Sequence, residues 1–145
     1  MPLVRIDRNK GRTDVDVRAI SDAVHFALVD ELHIPASDRF QIVTQHDHGE
    51  IIAEDAGLGF QRDLEVVMIN ILTQAGRTEA EKQGLFARIA ENLGRVGVAP
   101  QNVFIGYDEN TPNDWSFGFG RSQYVTGELQ TPAQRHLPEV GADAA

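Results

Sequence analysis

The chain has 145 residues, a formal net charge of −9 and no cysteine. That length suits one domain able to bury a core without staples, and the lack of cysteine excludes disulfides and thiolate metal sites. The acidic balance argues against a nucleic-acid partner and no apolar run approaches a membrane span, so the expectation is a cytoplasmic protein that handles small molecules.

Arg5, Asp7, Arg8 and Lys10 interrupt the first residues, so no signal peptide is expected. Residues 3–7 alternate apolar and polar and predict a half-buried strand. Gly11-Arg12-Thr13 follows, with Thr13 as N-cap and Asp16 completing a near capping box. The helix runs to about Leu32, carrying Ile20, Val24, Leu28 and Leu32 on one face, and Pro35 closes it. Phe40, Ile42 and Thr44 predict a second strand, Ile51 and Ile52 a short hairpin arm, and Gly57-Leu58-Gly59 a turn. Residues 66–72 predict a third strand. Thr78 and Glu81 form a full capping box for a second helix that ends near Gly94. Val103, Phe104 and Ile105 form a closing strand. An irregular aromatic segment spans residues 113–120, and the composition beyond Glu128 predicts a flexible tail over 130–145.

The chain repeats itself. Gly11-Arg12-Thr13 recurs as Gly76-Arg77-Thr78, and at the same offset Ile20/Val24/Leu28 become Leu85/Ile89/Leu93 and Pro35 becomes Pro100. The expected fold is α/β (α+β): duplicated β-α-β units, about 2–43 and 66–107, forming a four-stranded mixed sheet with two helices on one face, all within one domain over 1–129. Each β-α-β crossover is right-handed, so its two strands are parallel and begin at the same sheet edge. That puts Pro2 near Asp38. A pseudo-twofold relation between the units makes strands one and three antiparallel, which brings the loop 73–77, and Arg77, toward Pro2.

An amine, a carboxylate and a guanidinium then converge. Arg77 precedes a helix N-terminus whose N–H groups favour anions, and a guanidinium grips carboxylate in a fork. Pro2 offers a usable amine once Met1 is removed, a removal that a small second residue favours. A neutral amine would be a general base, whereas a protonated one would polarise a carbonyl and promote loss of carbon dioxide from a β-keto acid. Asp38 favours the protonated form and Arg77 the neutral one, so the sequence leaves both chemistries open. His46-Asp47-His48 lacks a third ligand and predicts a polar loop rather than a metal site. His25 reads as an ordinary helical residue, and Asp114 as a turn anchor. Trp115, Phe117 and Phe119 either pack a core or line the pocket with an apolar wall.

The segments Met1-Pro2-Leu3-Val4, Asp38-Arg39-Phe40-Gln41-Ile42-Val43, Glu54-Asp55-Ala56-Gly57-Leu58-Gly59, Asp114-Trp115-Ser116-Phe117-Gly118 and Thr126-Gly127-Glu128-Leu129 resemble the tautomerase superfamily, and within it the malonate semialdehyde decarboxylase family. The similarity spans almost everything up to Leu129. It implies catalysis by Pro2, protonated in the decarboxylase branch, with Asp38 as the catalytic aspartate and Arg77 as the binder of the substrate carboxylate. It also implies a homotrimer and no metal or organic cofactor. Some decarboxylases carry Arg-Pro-Arg in the loop where this chain has Ala75-Gly76-Arg77. The version with glutamine and one arginine is closer and gives Gln74 a supporting polar role beside Trp115 and Phe117. The expected reaction is decarboxylation of malonate semialdehyde, a 3-oxo acid, to acetaldehyde. The alternatives are a phenylpyruvate-type keto–enol tautomerase with Pro2 as base, and a non-catalytic ligand-binding module.

Overall fold

Apolar residues at alternate positions give β1 (Leu3–Asn9) one buried side, Val4 and Ile6, while Arg5 on the other side is exposed. The computed structural model describes residues 1–11 and 17–135. The remaining principal elements are α1 (Val17–Leu32), β2 (Phe40–His46), β3 (Val67–Gln74), α2 (Glu79–Arg95), β4 (Val103–Asn110), α3 (Gln123–Thr126) and α4 (Pro132–Arg135). Two compact units divide the chain: the first joins Met1–Thr73 to Arg77–Asp108, and the second joins Gln74–Gly76 to the segment from Glu109 onward.

The sheet order is β2-β1-β3-β4. β1 and β2 are parallel with Leu3 opposite Phe40, and β1 and β3 are antiparallel with Leu3 opposite Leu72. Both relations follow the expectation drawn from the duplication. The mixed sheet carries α1 and α2 on one face, as the repeat predicts. Ile20, Val24 and Leu28 from α1 and Leu85, Ile89 and Leu93 from α2 pack with Val4, Ile6, Ile69 and Ile71. Each helical member of that set is 2% exposed or less. Burying a side chain of this kind is worth about 1.5–3 kcal/mol, so the two matched triplets anchor the unit. The other sheet face carries Phe40, Ile42 and Phe104, exposed by 42%, 43% and 44%.

The structure also departs from the sequence reading in several places. β3 continues through Thr73 and Gln74, which were expected in the loop; both are fully buried. Ile51 and Ile52 form no strand, so the hairpin arm is absent. α2 ends at Arg95, near Gly94 as expected, but the capping glycine is Gly97, whose φ of 90° is left-handed, rather than Gly94. The N–H of Gly97 reaches Gly94 O and that of Val98 reaches Leu93 O, and the buried Val98 seals the motif. Pro132–Arg135 forms one helical turn beyond Glu128. Arg12, Thr13 and Asp16 lie outside the described residues.

Candidate active site

The start of the chain is buried. Met1 and Pro2 lie directly before β1, and the Met1 amine stands 3.9 Å from Asp38 Oδ2. Asp38 is 4% exposed, two residues before β2. The parallel register brings these groups together, because it starts both strands at one edge.

The duplication tests the idea that Asp38 merely caps its turn. Asp38 N donates to Pro35 O at 2.9 Å. In the second repeat Val103 N donates to Pro100 O across the matching turn. The same backbone bond therefore closes with valine in place of aspartate, so the turn needs no carboxylate. A buried acid is costly, and at this position the fold does not require it.

The loop bearing Asp38 is tied to α1. The ring Nε2 of buried His25 lies 2.8 Å from Ala36 O, and since a carbonyl only accepts, Nε2 carries the proton. Arg39 Nη2 donates to Asp22 Oδ1 at 2.6 Å, and Arg39 Nε to Gln41 Oε1 at 2.8 Å. Gln41 Nε2 donates to Ser21 O at 2.8 Å.

Arg77 is half-buried and directly precedes Thr78, the N-cap of α2. The antiparallel register runs β3 past the start of β1, so the chain enters the Arg77 loop at the edge where β1 begins. The capping box forms as expected: Thr78 Oγ1 accepts from Glu81 N at 3.2 Å, and Glu81 Oε2 accepts from Thr78 N at 2.8 Å. This changes the expected anion chemistry. The helix end is partly satisfied by its own carboxylate, with Glu79 and Glu81 in the first turn, so the guanidinium rather than the helix amides is the group suited to an incoming anion.

The second unit holds the polar and aromatic candidates. Gln74 is fully buried and donates to the Tyr124 hydroxyl at 3.0 Å. Trp115 and Phe117 stack at 5.7 Å with planes 7° apart, and Phe117 meets Tyr124 edge-on at 5.7 Å. Trp115 Nε1 donates to Asn110 Oδ1 at 2.7 Å. Buried Gln123 fixes the segment by accepting from Phe117 N and donating to Gly118 O, each at 2.9 Å. Phe119 is 92% exposed and belongs to neither a core nor that stack. Asp114 anchors its turn as expected: the Thr111 N–H and hydroxyl donate to its Oδ2 at 2.8 and 2.9 Å and hold its carboxyl below the usual range. Tyr124 was missed by the sequence reading, since a four-residue helix carries no periodic signal.

The far end of β1 holds different chemistry. His46 is the last residue of β2 rather than a loop residue, with Nε2 2.6 Å from Asp7 Oδ1 and Nδ1 3.4 Å from Glu50 Oε2. The Asp7 hydrogen bond raises the His46 pKa against desolvation, the next largest effect, and the Asp7 charge and Glu50 add to the rise. A groove of about 370 Å³ runs beside it, lined by Ile51, Ile52, Met68 and Phe104 among others and by none of the predicted site residues. Among the described residues no group of three or more His, Cys, Asp or Glu is arranged to hold a metal ion, and no helix is long and apolar enough to cross a membrane.

Two family profiles, each described as tautomerase enzyme, match residues 38–118 and 2–61. The probable tautomerase YrdN of Bacillus subtilis (strain 168) is 37% identical over 130 residues, covering 89% of this chain and all of that protein. Among solved structures, FG41 malonate semialdehyde decarboxylase inhibited by 3-bromopropiolate is 61% identical with a TM-score of 0.87, over 90% of this chain and 99% of that one. A second malonate semialdehyde decarboxylase, described with decarboxylase and hydratase activities, is 39% identical with a TM-score of 0.83, over 88% of this chain and 98% of that one.

Proposed function

The chain belongs to the tautomerase family of enzymes, and from that premise we propose that it is a cofactor-free carboxy-lyase that converts malonate semialdehyde to acetaldehyde and carbon dioxide. The observation that carries the proposal is the Met1 amine 3.9 Å from a buried Asp38 that its turn does not need, which puts a carboxylate beside the start of the chain where Pro2 stands. The 61% identity to a malonate semialdehyde decarboxylase supports the choice of substrate.

Removal of Met1 transfers the terminal amine to Pro2. An adjacent carboxylate favours the charged form of that amine. The protonated Pro2 then hydrogen-bonds the aldehyde oxygen of a substrate whose carboxylate is gripped by Arg77. As the bond between the carboxylate carbon and C2 breaks, its electron pair moves into the C2–C3 enolate, whose oxygen charge Pro2 stabilises. Carbon dioxide departs, and C2 takes a proton from water to give acetaldehyde. Asp38 keeps Pro2 charged and oriented.

The test is Pro2→Ala assayed against malonate semialdehyde. Turnover is expected to fall by about 10²–10⁴-fold. Undiminished turnover would remove Pro2 from the mechanism.

The likeness to a probable tautomerase at 37% identity favours a second reading, a keto–enol tautomerase acting on phenylpyruvate-type enols with a neutral Pro2 as base. Assay of both substrates with one preparation ranks the two, and faster turnover of the enol would reverse the order. The assembly proposed is a homotrimer. Phe40, Ile42 and Phe104 on the open sheet face, with Ile52 82% exposed beside them, supply apolar surface for contact between copies.

A further inference from the structure

We propose that His25 is a positioning residue for Asp38, acting through the Ala36 carbonyl to hold that carboxylate against the chain's amine. The proposal rests on the catalytic reading above and adds a residue that the reading does not contain.

His25 is 3% exposed on a helix whose other buried positions are apolar apart from Ser21. A polar ring there costs stability unless its hydrogen bond is made. Its bond goes to a loop carbonyl two residues before Asp38. Two further ties come from the same stretch of α1: Asp22 receives Arg39, and Ser21 O receives Gln41. Positions 21, 22 and 25 lie within about one turn of helix. They hold the loop on both sides of Asp38, at 36 before it and at 39 and 41 after it. A carboxylate framed in this way keeps one orientation, and orientation at about the 1 Å level governs rate.

The second repeat is an internal control. At the matching positions Ser21, Asp22 and His25 become Phe86, Ala87 and Ala90, and Arg39 and Gln41 become Phe104 and Gly106. That connection keeps the backbone bond across its proline turn, and Phe86 packs edge-on against Tyr107 at 6.3 Å. The polar ties of that connection come from the segment before β3: Arg62 Nη1 donates to Gln101 O at 2.6 Å and Asn102 Nδ2 to Asp63 Oδ1 at 2.8 Å. In the first repeat, where the connection bears the acid, the ties come from the unit's own helix.

The experiment compares His25→Leu and His25→Gln in protein lacking Met1, reading kcat, KM and the NMR titration of the Pro2 amine. His25→Leu removes the donor, and His25→Gln keeps an N–H able to reach the same carbonyl. In His25→Leu, kcat is expected to fall by about tenfold, KM to stay within about twofold because Arg77 is untouched, and the amine to titrate lower. His25→Gln is expected to recover most of kcat. A folded His25→Leu with wild-type kcat and amine titration overturns the proposal, as does a His25→Gln no better than leucine. Should His25→Leu not fold, Gln41→Met cuts a second tie at a half-buried site; a lower amine titration supports the proposal and an unchanged one overturns it. Asp38→Asn separates the two levels: no effect on turnover or amine sinks the catalytic reading, whereas an effect there without one in His25→Leu sinks only the positioning role.

Discussion

Each repeat joins its helix to its second strand through a proline turn, and the two turns share one backbone hydrogen bond but differ in what surrounds it. Around Pro100 the helix contributes an aromatic contact, Phe86 against Tyr107, and polar ties come from Arg62 and Asp63 before β3. Around Pro35 buried Asp38 is framed by His25, Asp22 and Ser21 of the preceding helix. The Pro100 turn shows that this connection closes with valine where the other has an acid. The Pro35 turn adds a buried carboxylate beside the chain's amine and takes its polar ties from its own helix, which marks that carboxylate as kept for chemistry rather than for packing.

The sharpest way to break this contrast is to give the first turn the residue of the second. Asp38→Val is expected to lower turnover of malonate semialdehyde by about 10²–10³-fold, the scale of losing a positioned charged group. Its melting temperature is expected to fall near neutrality, where the buried amine keeps its charge without a partner, and to match or exceed that of the wild type in alkali, where the amine is neutral. Activity and calorimetry on the same sample check both halves. A variant that stays destabilised in alkali would make Asp38 a structural residue and erase the distinction between the turns.

A smaller effect distinguishes the two helix starts. Thr78 and Glu81 form a closed capping box, and Thr78→Ala is expected to cost about 1 kcal/mol in denaturant unfolding. The matching pair in the first repeat is Thr13 and Asp16, outside the described residues, where a shorter acid replaces glutamate. Thr13→Ala is expected to cost less, and equal losses would put the two helix starts on the same footing.

These contrasts also mark what the sequence could reveal. The repeat was legible because the triplets Ile20/Val24/Leu28 and Leu85/Ile89/Leu93 recur at helical spacing, and buried periodicity is what sequence records best. From it, with an assumed sheet order, followed the parallel and antiparallel strand pairs and the closeness of the chain's start to Asp38. The frame around Asp38 was not legible. His25 reads as any helical histidine, because its partner is a backbone carbonyl and carbonyls carry no sequence signature. The end of α2 near Gly94 was legible but its cap was not, because two glycines lie close together and of the two only Gly97 adopts a positive φ. Gln74 and Thr73 were expected in a loop because polar residues suggest one, whereas Gln74 is buried by bonding the equally unanticipated Tyr124. Ile51 and Ile52 suggested a strand from their side chains alone, and no ladder partner exists for them among the described residues.

The smallest expected effect concerns the far end of the first repeat, where Asp7 and His46 lack ionisable counterparts: Leu72 and Thr111 stand at the matching positions. The Asp7 hydrogen bond is the main reason the His46 pKa lies above its ordinary value. A raised folded-state pKa means that the folded form binds the proton more tightly than the unfolded chain does. The stabilisation is therefore complete below the unfolded value of about 6.5 and disappears as pH rises through the folded value. Asp47 has the opposite sign: the Lys10 hydrogen bond lowers its pKa, so its contribution is present near neutrality and fades in acid. Comparing melting temperatures of wild type and His46→Gln across pH isolates the first contribution, since the lysine–aspartate pair is common to both proteins. The gap is expected to be small, because the site is open to solvent, largest in mild acid, and closed in alkali. A gap that widens as pH rises would mean that His46 is held neutral in the folded protein, and that its two carboxylate neighbours do not act on it as their distances imply.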